Sequence, residues 1–300
     1  MKKLSELVEC SYDVLIKNIK TDSRQVEPGD LFVCIHGLYF DRHDFIDQAI
    51  EKGAGAIIVD KKTSCKVPVV MVNNTNVTLL EICEKFYDDP SSKLTMIATT
   101  GTDGKTTVAM MIWQLLSENH SVAYLGTNGL HFQKEESITS NTTPIPEQLY
   151  AYLDRVVKKN GSVVSMEVSS ESLVHQRVNR IKFDMAILTN ITEDHLNVHK
   201  TIEEYIKAKG KLFTLVKEKG ICLLNHDDSH YEEMLPYCQN KQVYTYGKHP
   251  ESDFQISQIT YGKKAKFCIT YRNETVEVES PYFGTYSVWN LTAAFAVCYL

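Results

Sequence analysis

Residues 99–107, with the sequence TTGTDGKTT, have the composition of a loop that binds phosphate. They follow an apolar segment typical of a strand and open a segment typical of a helix. Glycines at such a turn let backbone amides approach an anion, and the helix N-terminus adds partial positive charge. Lys105 is expected to reach the β and γ phosphates of a nucleotide, and the Thr106 hydroxyl to ligate magnesium. The alternative is a plain glycine turn with a solvated lysine. The residues predicted to bind the nucleotide phosphates are Gly101, Thr102, Asp103, Gly104, Lys105, Thr106 and Thr107.

Two further polar residues follow predicted strands and are candidate metal ligands. Glu167 ends the segment SVVSMEV, and His195 follows MAILTN. A carboxylate oxygen and an imidazole suit a magnesium ion that is held mainly by phosphate oxygens. Taken alone, Glu167 could be a carboxylate at a helix N-terminus and His195 a surface histidine. Together with the phosphate loop, they predict a magnesium site that includes Thr106.

Lys209 interrupts an apolar stripe on a predicted helix from residue 201 to residue 217. Helical spacing groups it with inward-facing apolar residues, namely Ile202, Ile206, Phe213 and Val216. A lysine on the inner face loses solvation of its charge, so its pKa should fall and the neutral amine should become more populated. A neutral amine can capture carbon dioxide as a carbamate. The alternative is a lysine whose side chain extends along the helix to solvent.

The elements that would position these residues form two α/β domains. Residues 31–59 alternate strand, helix and strand, followed by the apolar run VPVVMV and a helix near Asn76. The segment DDPSSK at 88–93 marks a boundary. We therefore expect a small N-terminal α/β domain, 1–92, and a central domain, 93–300, with a doubly wound, mainly parallel sheet of the P-loop ATPase type. After Tyr244, FQISQITY, AKFCITY and ETVEVE predict an antiparallel appendage.

The overall composition restricts the class of partner. The 300 residues carry a formal charge of −6 and 43% hydrophobic residues, which indicates a packed core and no general attraction to nucleic acid or anionic lipid. The first twenty residues have no signal-peptide core, and no stretch is long enough to span a bilayer. The eight cysteines are scattered without a Cys-x-x-Cys pair. They are expected to be reduced core residues of a cytoplasmic protein.

The order of the motifs resembles the Mur ligase family, and within it the UDP-N-acetylmuramoyl-tripeptide synthetases. Residues 100–107 match the TGT-(N/D)-GKTT loop of that family. The other matching segments are DSRQVEPGDLFV at 22–33, NTTP at 141–144, MEVSSESLVHQRV at 166–178, FDMAILTNITEDHLNVH at 183–199, YIKAKGKLF at 205–213 and GTYSVWNLTAA at 284–294. The likeness spans nearly the whole chain.

The resemblance implies an ADP-forming amide ligase of peptidoglycan precursor synthesis. In that reaction a substrate carboxylate attacks the γ phosphate of ATP, and an amine then attacks the resulting acyl phosphate. The implied acceptor is UDP-N-acetylmuramoyl-L-Ala-D-Glu, and the amine donor is L-lysine or meso-diaminopimelate. Two rival interpretations stay open, namely a related ligase with another acceptor and a non-catalytic nucleotide-binding homologue.

The resemblance also implies roles for individual residues. Lys105, His195 and Lys209 would be catalytic, with carbamylated Lys209 as a ligand of a second magnesium. Ser23 and His43 would bind the uridine diphosphate, and Asn290 the adenine, unless Asn290 is a helix cap. The muramoyl dipeptide would be held by Asn141, Thr142, Thr143, Ser169 and Arg177. For Arg177 the alternative is a surface ion pair, and for the hydroxyl side chains it is helix capping.

Three positions depart from the pattern of the family. Arg42 replaces a frequent glycine, Glu171 a frequent histidine and Ser287 a frequent asparagine. Family members also continue into a third domain that binds the incoming amino acid. We expect that domain to be absent from these 300 residues, with a truncated sequence as the simplest explanation.

Overall fold

A computed structural model describes residues 1–37, 40–192, 199–282 and 284–300. These residues form two compact units. The N-terminal unit consists of residues 1–90 with 145–154, and the central unit of residues 91–144 with 155–300. Within the described ranges, no helix is long and apolar enough to cross a membrane.

The N-terminal unit is built on a parallel sheet. Its elements are β1 (Lys2–Lys3), α1 (Leu4–Leu7), β2 (Leu15–Ile16), β3 (Ile19–Lys20), β4 (Leu31–Val33), α2 (Ile46–Glu51), β5 (Ala56–Val59), β6 (Val69–Met71) and α3 (Thr75–Phe86). The sheet has the order β3-β4-β5-β6, and every residue of β4 and β5 is buried. Continuous apolar runs such as LFV and AIIV suit strands that are covered on both faces. The strand, helix and strand pattern predicted for residues 31–59 is confirmed.

The central unit has one long sheet and the helices that flank it. Its elements are β7 (Thr95–Thr100), α4 (Lys105–Leu116), β8 (Val122–Gly126), β9 (Gly129–Phe132), β10 (Glu135–Ser137), α5 (Pro146–Lys158), β11 (Val163–Glu167), α6 (Ser170–Val174), β12 (Phe183–Leu188), α7 (Ile202–Thr214), β13 (Val216–Asn225), α8 (Tyr231–Met234), β14 (Gln242–Gly247), β15 (Phe254–Tyr261), β16 (Ala265–Tyr271), β17 (Glu274–Glu279) and α9 (Tyr286–Tyr299). The first part of α5 belongs to the N-terminal unit and its last turn to the central one.

The eleven strands have the order β10-β9-β8-β11-β7-β12-β13-β14-β15-β16-β17. The ladders from β8 through β11, β7, β12, β13 and β14 to β15 are parallel, and those at both ends of the sheet are antiparallel. The predicted α/β class with its mainly parallel sheet and antiparallel appendage is confirmed. The appendage continues the same sheet, because β15 pairs in parallel with β14 before the chain turns back.

The parallel register brings the ends of three strands to one edge of the sheet. Glu167 at the end of β11 pairs with Thr99 of β7, and Leu188 of β12 pairs with Thr100. The loops after these strands therefore start at neighbouring positions. Ligand sites of doubly wound sheets form at such carboxyl ends.

The N-terminal unit contains a buried carboxyl group in the first turn of α5. Glu147 accepts a hydrogen bond from the Thr21 hydroxyl, while its Oε2 has no hydrogen-bond partner among the described residues. Burial raises the pKa of Glu147, and the hydrogen bond from Thr21 opposes that rise. A raised folded-state pKa contributes stability at low pH that is lost as the pH rises through that pKa.

Replacing Glu147 by Gln should therefore raise the free energy of unfolding at pH 7 by on the order of 1 kcal/mol. The gain should vanish below the ordinary pKa of 4.5, where the carboxyl is protonated in both states. Urea denaturation at pH 7 and at a pH below 4.5 measures this gain in the free energy of unfolding. The matched control is Glu51→Gln, at an exposed glutamate. An equal gain at both pH values would rule out the buried charge as its cause.

Candidate functional site

The loop between β7 and α4 owes its shape to two glycines with positive φ. Gly101 has φ +150° and Gly104 has φ +82°, and Lys105 opens α4 directly afterwards. A Cβ on Gly101 would lie 1.9 Å from the Thr189 hydroxyl oxygen, and one on Gly104 2.7 Å from Oδ1 of Asn290. Only glycine suits both the backbone conformation and the space at these positions.

The loop is held by the two residues that follow β12. The Thr102 amide donates to the Asn190 carbonyl at 2.8 Å, and the Asp103 amide donates to Oδ1 of Asn190 at 3.0 Å. The Thr189 hydroxyl donates to the Asp103 carbonyl at 2.5 Å. Thr189 and Asn190 therefore fix the loop, although the sequence did not single them out. They could have been recognised in the sequence by their position, because they are the two polar residues that end the predicted strand MAILTN.

Two lysines meet at the carbonyl oxygen of Gly101. Nζ of Lys105 lies 3.0 Å from this oxygen and 2.7 Å from the Thr102 carbonyl oxygen. Nζ of Lys209 donates to the Gly101 carbonyl at 2.7 Å and lies 4.2 Å from the centroid of the Tyr205 ring. Two ammonium groups beside a glycine-rich loop favour an anionic ligand.

The inward position of Lys209 is confirmed, because its side chain is buried with a relative exposure of 1%. Lys207 and Lys211 on the same helix are exposed, as expected. The cause is the helical period, which places Lys209 on the same buried face as Ile206, three residues before it, and Phe213, four residues after it.

Glu167 is fully buried at the end of β11 and accepts hydrogen bonds from three residues. Its Oε2 accepts from the Thr106 hydroxyl at 2.7 Å and from the Thr127 hydroxyl at 3.2 Å. Its Oε1 accepts from the Tyr124 hydroxyl at 2.5 Å and from the Thr127 amide at 2.8 Å. Burial, together with the hydrogen bond to Glu167, raises the pKa of Tyr124 far above its usual range, so the phenol remains a donor.

The link between Glu167 and Thr106 joins two of the predicted metal ligands, whereas Tyr124 and Thr127 were not predicted. Glu167 does not cap the helix that follows it, since Ser169 caps α6, but its carboxylate lies at the first turn of α4 through Thr106. His195 lies outside the described residues.

A cavity of about 150 Å³ opens beside the phosphate loop in the central unit. It is lined by Lys105, Asn141, Thr142, Ser169, Ser170, Glu171, Arg177 and His199. Five of these eight residues were predicted from the sequence as ATP or acceptor ligands. Ser170 and His199, which were not, form a contact of 2.9 Å between Oγ and Nε2.

The Arg177 guanidinium is positioned by two oxygen acceptors at this cavity. NH1 donates to the Thr143 carbonyl at 3.1 Å, and NH2 donates to Oε1 of Glu171 at 2.8 Å. The Thr143 hydroxyl is buried, donating to the Glu167 carbonyl at 2.9 Å and accepting from the Ser169 amide at 3.0 Å. Thr143 therefore shapes the loop. Ser169 is a helix cap, as the alternative interpretation of the hydroxyl side chains expected, because its hydroxyl accepts from the Ser172 amide.

Three predicted ligands, Asn290, Ser23 and His43, do not line this cavity. Asn290 lies inside α9, which begins at Tyr286, so its interpretation as an N-terminal cap is wrong. In the N-terminal unit, buried Ser23 donates to Oε1 of Gln48 at 2.6 Å. Nδ1 of His43 lies 2.6 Å from Oδ1 of Asp41.

Two models of one protein family match most of the chain. The model described as "Mur ligase middle domain" matches residues 99–298, and that described as "Mur ligase family, catalytic domain" matches residues 15–94. The chain belongs to the Mur ligase family.

Several Mur ligases are similar to the chain. A UDP-N-acetylmuramoyl-L-alanyl-D-glutamate–2,6-diaminopimelate ligase of Geobacillus thermodenitrificans is 36% identical over 93% of this chain and 59% of its own length. An L-lysine ligase of Staphylococcus epidermidis is 35% identical over 94% of this chain and 58% of its own length. A solved 2,6-diaminopimelate ligase superposes with a TM-score of 0.85 at 27% identity, covering 99% of this chain and 63% of that one. The chain thus spans about three fifths of the length of these relatives.

The three departures from the Mur ligase pattern have local partners in the structure. Glu171 pairs with Arg177, and the Ser287 hydroxyl donates to the Gly284 carbonyl at 2.7 Å. The Arg42 guanidinium carbon lies 5.9 Å from the centroid of the Phe45 ring. Of the three, only Glu171 lines the cavity, so it is the departure that changes the charge presented to a ligand there.

Proposed function

We propose that this Mur ligase uses ATP to add a diamino acid to UDP-N-acetylmuramoyl-L-Ala-D-Glu through an acyl phosphate. The observation that carries the proposal is the adjacency of a phosphate loop, a buried carboxylate and a polar cavity lined by Lys105 and Arg177. Relatives named as diaminopimelate or lysine ligases support the acceptor and the reaction class. They include both kinds of donor at nearly equal identity, so L-lysine and meso-diaminopimelate stay equal candidates.

Residues 93–300 are proposed as the ATP-binding domain. The amides of residues 101–107 and the start of α4 would hold the phosphates, with Lys105 turning from the Gly101 carbonyl to the β and γ phosphates. Gly104 and Asn290 lie close together, which supports a role for Asn290 beside the bound nucleotide.

The residues beside the loop fit magnesium. Oε2 of Glu167 and the Thr106 hydroxyl are oxygen ligands 2.7 Å apart, a donor set that suits a hard cation. His195 is proposed as a further ligand. Bound magnesium would neutralise charge on the phosphates. The protein's own part is to orient the Glu167 carboxylate through the donors Tyr124 and Thr127.

Lys209 is proposed to carry a carbamate that serves a second magnesium. The ammonium group first loses a proton to solvent; the neutral amine nitrogen then attacks carbon dioxide and loses a second proton, which leaves an anionic carbamate in place of the ammonium group. The observed bond from Lys209 to the Gly101 carbonyl would break in that state.

Carbon NMR in isotopically labelled bicarbonate with magnesium should show one carbamate carbonyl signal. Lys209→Met should remove it, and Lys211→Met, on the exposed face of the same helix, should retain it. A signal that persists in Lys209→Met would refute the assignment.

The acceptor is proposed to occupy the cavity beside the loop. Asn141, Thr142 and Ser169 would hold the muramoyl dipeptide, with Thr143 shaping the wall, and Arg177 would pair with a substrate carboxylate. Because Arg177 pairs with Glu171 in the free protein, the acceptor would have to compete with that ion pair. The acceptor's reacting carboxylate would then attack the γ phosphate held by Lys105.

Residues 1–92 are proposed as the domain that binds uridine diphosphate through Ser23 and His43. Ser23 would have to exchange its hydrogen bond to Gln48 for one to the ligand. A cytoplasmic location is proposed as well, and it is supported by eight free cysteines.

Phosphate release tests the proposed function. The protein is incubated with ATP, magnesium, the UDP-muramoyl dipeptide and each diamino acid in turn. Release that depends on both substrates is expected, and Lys105→Ala should lower it at least about 100-fold. ATP binding without release in any combination would favour a non-catalytic homologue. Release only with another acceptor would favour a related ligase.

A further inference from the structure

Two histidines and a carboxylate of the N-terminal unit converge at the ends of neighbouring parallel strands. His36 lies in the loop after β4, Asp60 directly follows β5, and His43 lies in a 3-10 helix at residues 42–45. Nε2 of His36 is 2.8 Å from one Asp60 carboxylate oxygen and 2.9 Å from the other. Nε2 of His43 is 3.3 Å from Oδ1 of Asp60. One ligand atom from each residue lies within 4.8 Å of the other two, a spacing that a single metal ion can span.

The lone pair of His43 is oriented by a second carboxylate. Nδ1 of His43 lies 2.6 Å from Oδ1 of Asp41, so this nitrogen carries the proton and donates it to Asp41. The Asp60 amide then donates to the unprotonated Nε2 at 3.3 Å. A histidine that donates through one nitrogen to a carboxylate and offers the other to a metal is the usual arrangement of metal-binding histidines. A metal ion here would replace the Asp60 amide as the partner of Nε2.

The backbone of the other histidine is also fixed. The His36 amide donates to Oδ1 of Asn76 at 3.1 Å, and the Asn76 side-chain amide donates to the His36 carbonyl at 3.3 Å. The His36 side chain is 44% exposed, whereas those of His43 and Asp60 are 8% and 13% exposed. The cluster is therefore held firmly on one side and open to solvent on the other, which leaves room for a water as fourth ligand.

We propose that His36, His43 and Asp60 form a binding site for a transition-metal dication, with Zn²⁺ as the best match. Two imidazoles and one carboxylate suit zinc, copper or nickel, and three protein ligands with one open position is a common zinc geometry. Zinc takes the place of the proton that Nε2 of His36 shares with Asp60. That proton moves to solvent or to Nδ1 of His36, which lies 3.7 Å from Oδ2 of Asp41. The site is separate from the proposed magnesium site, but it shares His43 with the proposed uridine diphosphate site, so zinc and that nucleotide would compete for this side chain.

Zinc titration of the metal-stripped chain tests the site. Isothermal calorimetry in excess magnesium should show that the chain binds one equivalent of zinc. His36→Gln and Asp60→Asn should each lower the zinc affinity at least about tenfold. Asp41→Asn keeps all three ligands but replaces the anionic acceptor for Nδ1 of His43 by a neutral amide, and it should weaken binding about 10- to 100-fold. His120→Gln, at an exposed histidine of the central unit, should leave the affinity unchanged. Thermal unfolding without metal checks that each variant is folded.

Cobalt spectroscopy separates this site from the cysteines. Bound Co²⁺ should give the visible bands of a four-coordinate nitrogen and oxygen site without a thiolate charge-transfer band. Zinc affinity unchanged in both His36→Gln and Asp41→Asn would overturn the proposal. A thiolate band that survives in those variants would equally overturn it, because the metal would then be bound by cysteine.

Discussion

Replacing Glu167 by Gln is expected to abolish the effect of magnesium on ATP binding while it preserves the fold. The amide oxygen can still accept from Tyr124 and Thr127, and the amide nitrogen takes the place of Oε2 beside the Thr106 hydroxyl. The negative charge is lost, and the Thr106 and Thr127 hydroxyls have to accept from the amide nitrogen instead of donating to Oε2. Since a hard cation needs an anionic oxygen here, ATP affinity in magnesium should fall at least about tenfold.

Calorimetric titration with ATP, in magnesium and again in EDTA, measures this effect. Affinity in EDTA should be nearly the same in the wild type and in Glu167→Gln. The free energy of unfolding should change by less than about 1.5 kcal/mol, because every polar group around the side chain can keep a hydrogen-bond partner. Tyr124→Phe is the matched control, since it removes one donor to Glu167 but keeps the charge, so the magnesium effect should persist. A variant Glu167→Gln that still binds ATP more tightly in magnesium would exclude this carboxylate as the ligand.

Replacing Gly101 by Ala should abolish nucleotide binding and destabilise the central unit. The new Cβ would lie 1.9 Å from the Thr189 hydroxyl oxygen and 3.0 Å from backbone atoms of Asn190, at a φ of +150°. Backbone strain and overpacking together should cost about 2–5 kcal/mol of unfolding free energy. ATP affinity should fall at least about 100-fold, because the amides that face the phosphates are displaced.

Urea denaturation and ATP titration check both parts of this expectation. Gly262→Ala is the control, because a Cβ there meets only the Lys264 carbonyl oxygen, at an ordinary distance of 3.8 Å. The double variant Gly101→Ala with Thr189→Ala removes the nearest atom and should regain part of the stability, but not ATP binding. Wild-type affinity in Gly101→Ala would mean that this loop does not cradle the phosphates.

Local patterns were sufficient to predict the phosphate loop and the inward face of α7. Glycine at positions of special φ and the helical period around Lys209 are properties of short segments, and the structure has both. The antiparallel strands β15 to β17 were also correct, because they alternate in polarity over six to eight residues.

The partners of Glu167 could not be predicted in this way. Tyr124 and Thr127 reach it because β8 pairs with β11, although the two strands are separated by about forty residues in sequence. The segment VAYLG of β8 is buried at every position and gives no periodic signal. Strand order is decided by packing over the whole sheet, so contacts across it remain hidden in a single sequence.

Helix boundaries caused a different error. Asn290 was given a capping alternative on the assumption that an apolar helix began after it, whereas α9 starts one turn earlier at Tyr286. The partner of buried Ser23 could not be predicted for a related reason, since its acceptor Gln48 comes from a separate helix. Propensity alone specifies neither the first residue of a helix nor the partner of a hydroxyl.

The two edge strands of the long sheet carry charges that should oppose aggregation. β10 and β17 are rich in glutamate, and Glu135 pairs with Lys159 while Glu279 pairs with Lys264. These hydrogen-bonded ion pairs lower the pKa of both glutamates, so their charge persists to more acidic pH than that of an ordinary glutamate. Charged side chains on an edge strand discourage another chain from adding to it. The open edges of this sheet should thus stay protected from self-association in mildly acidic solution.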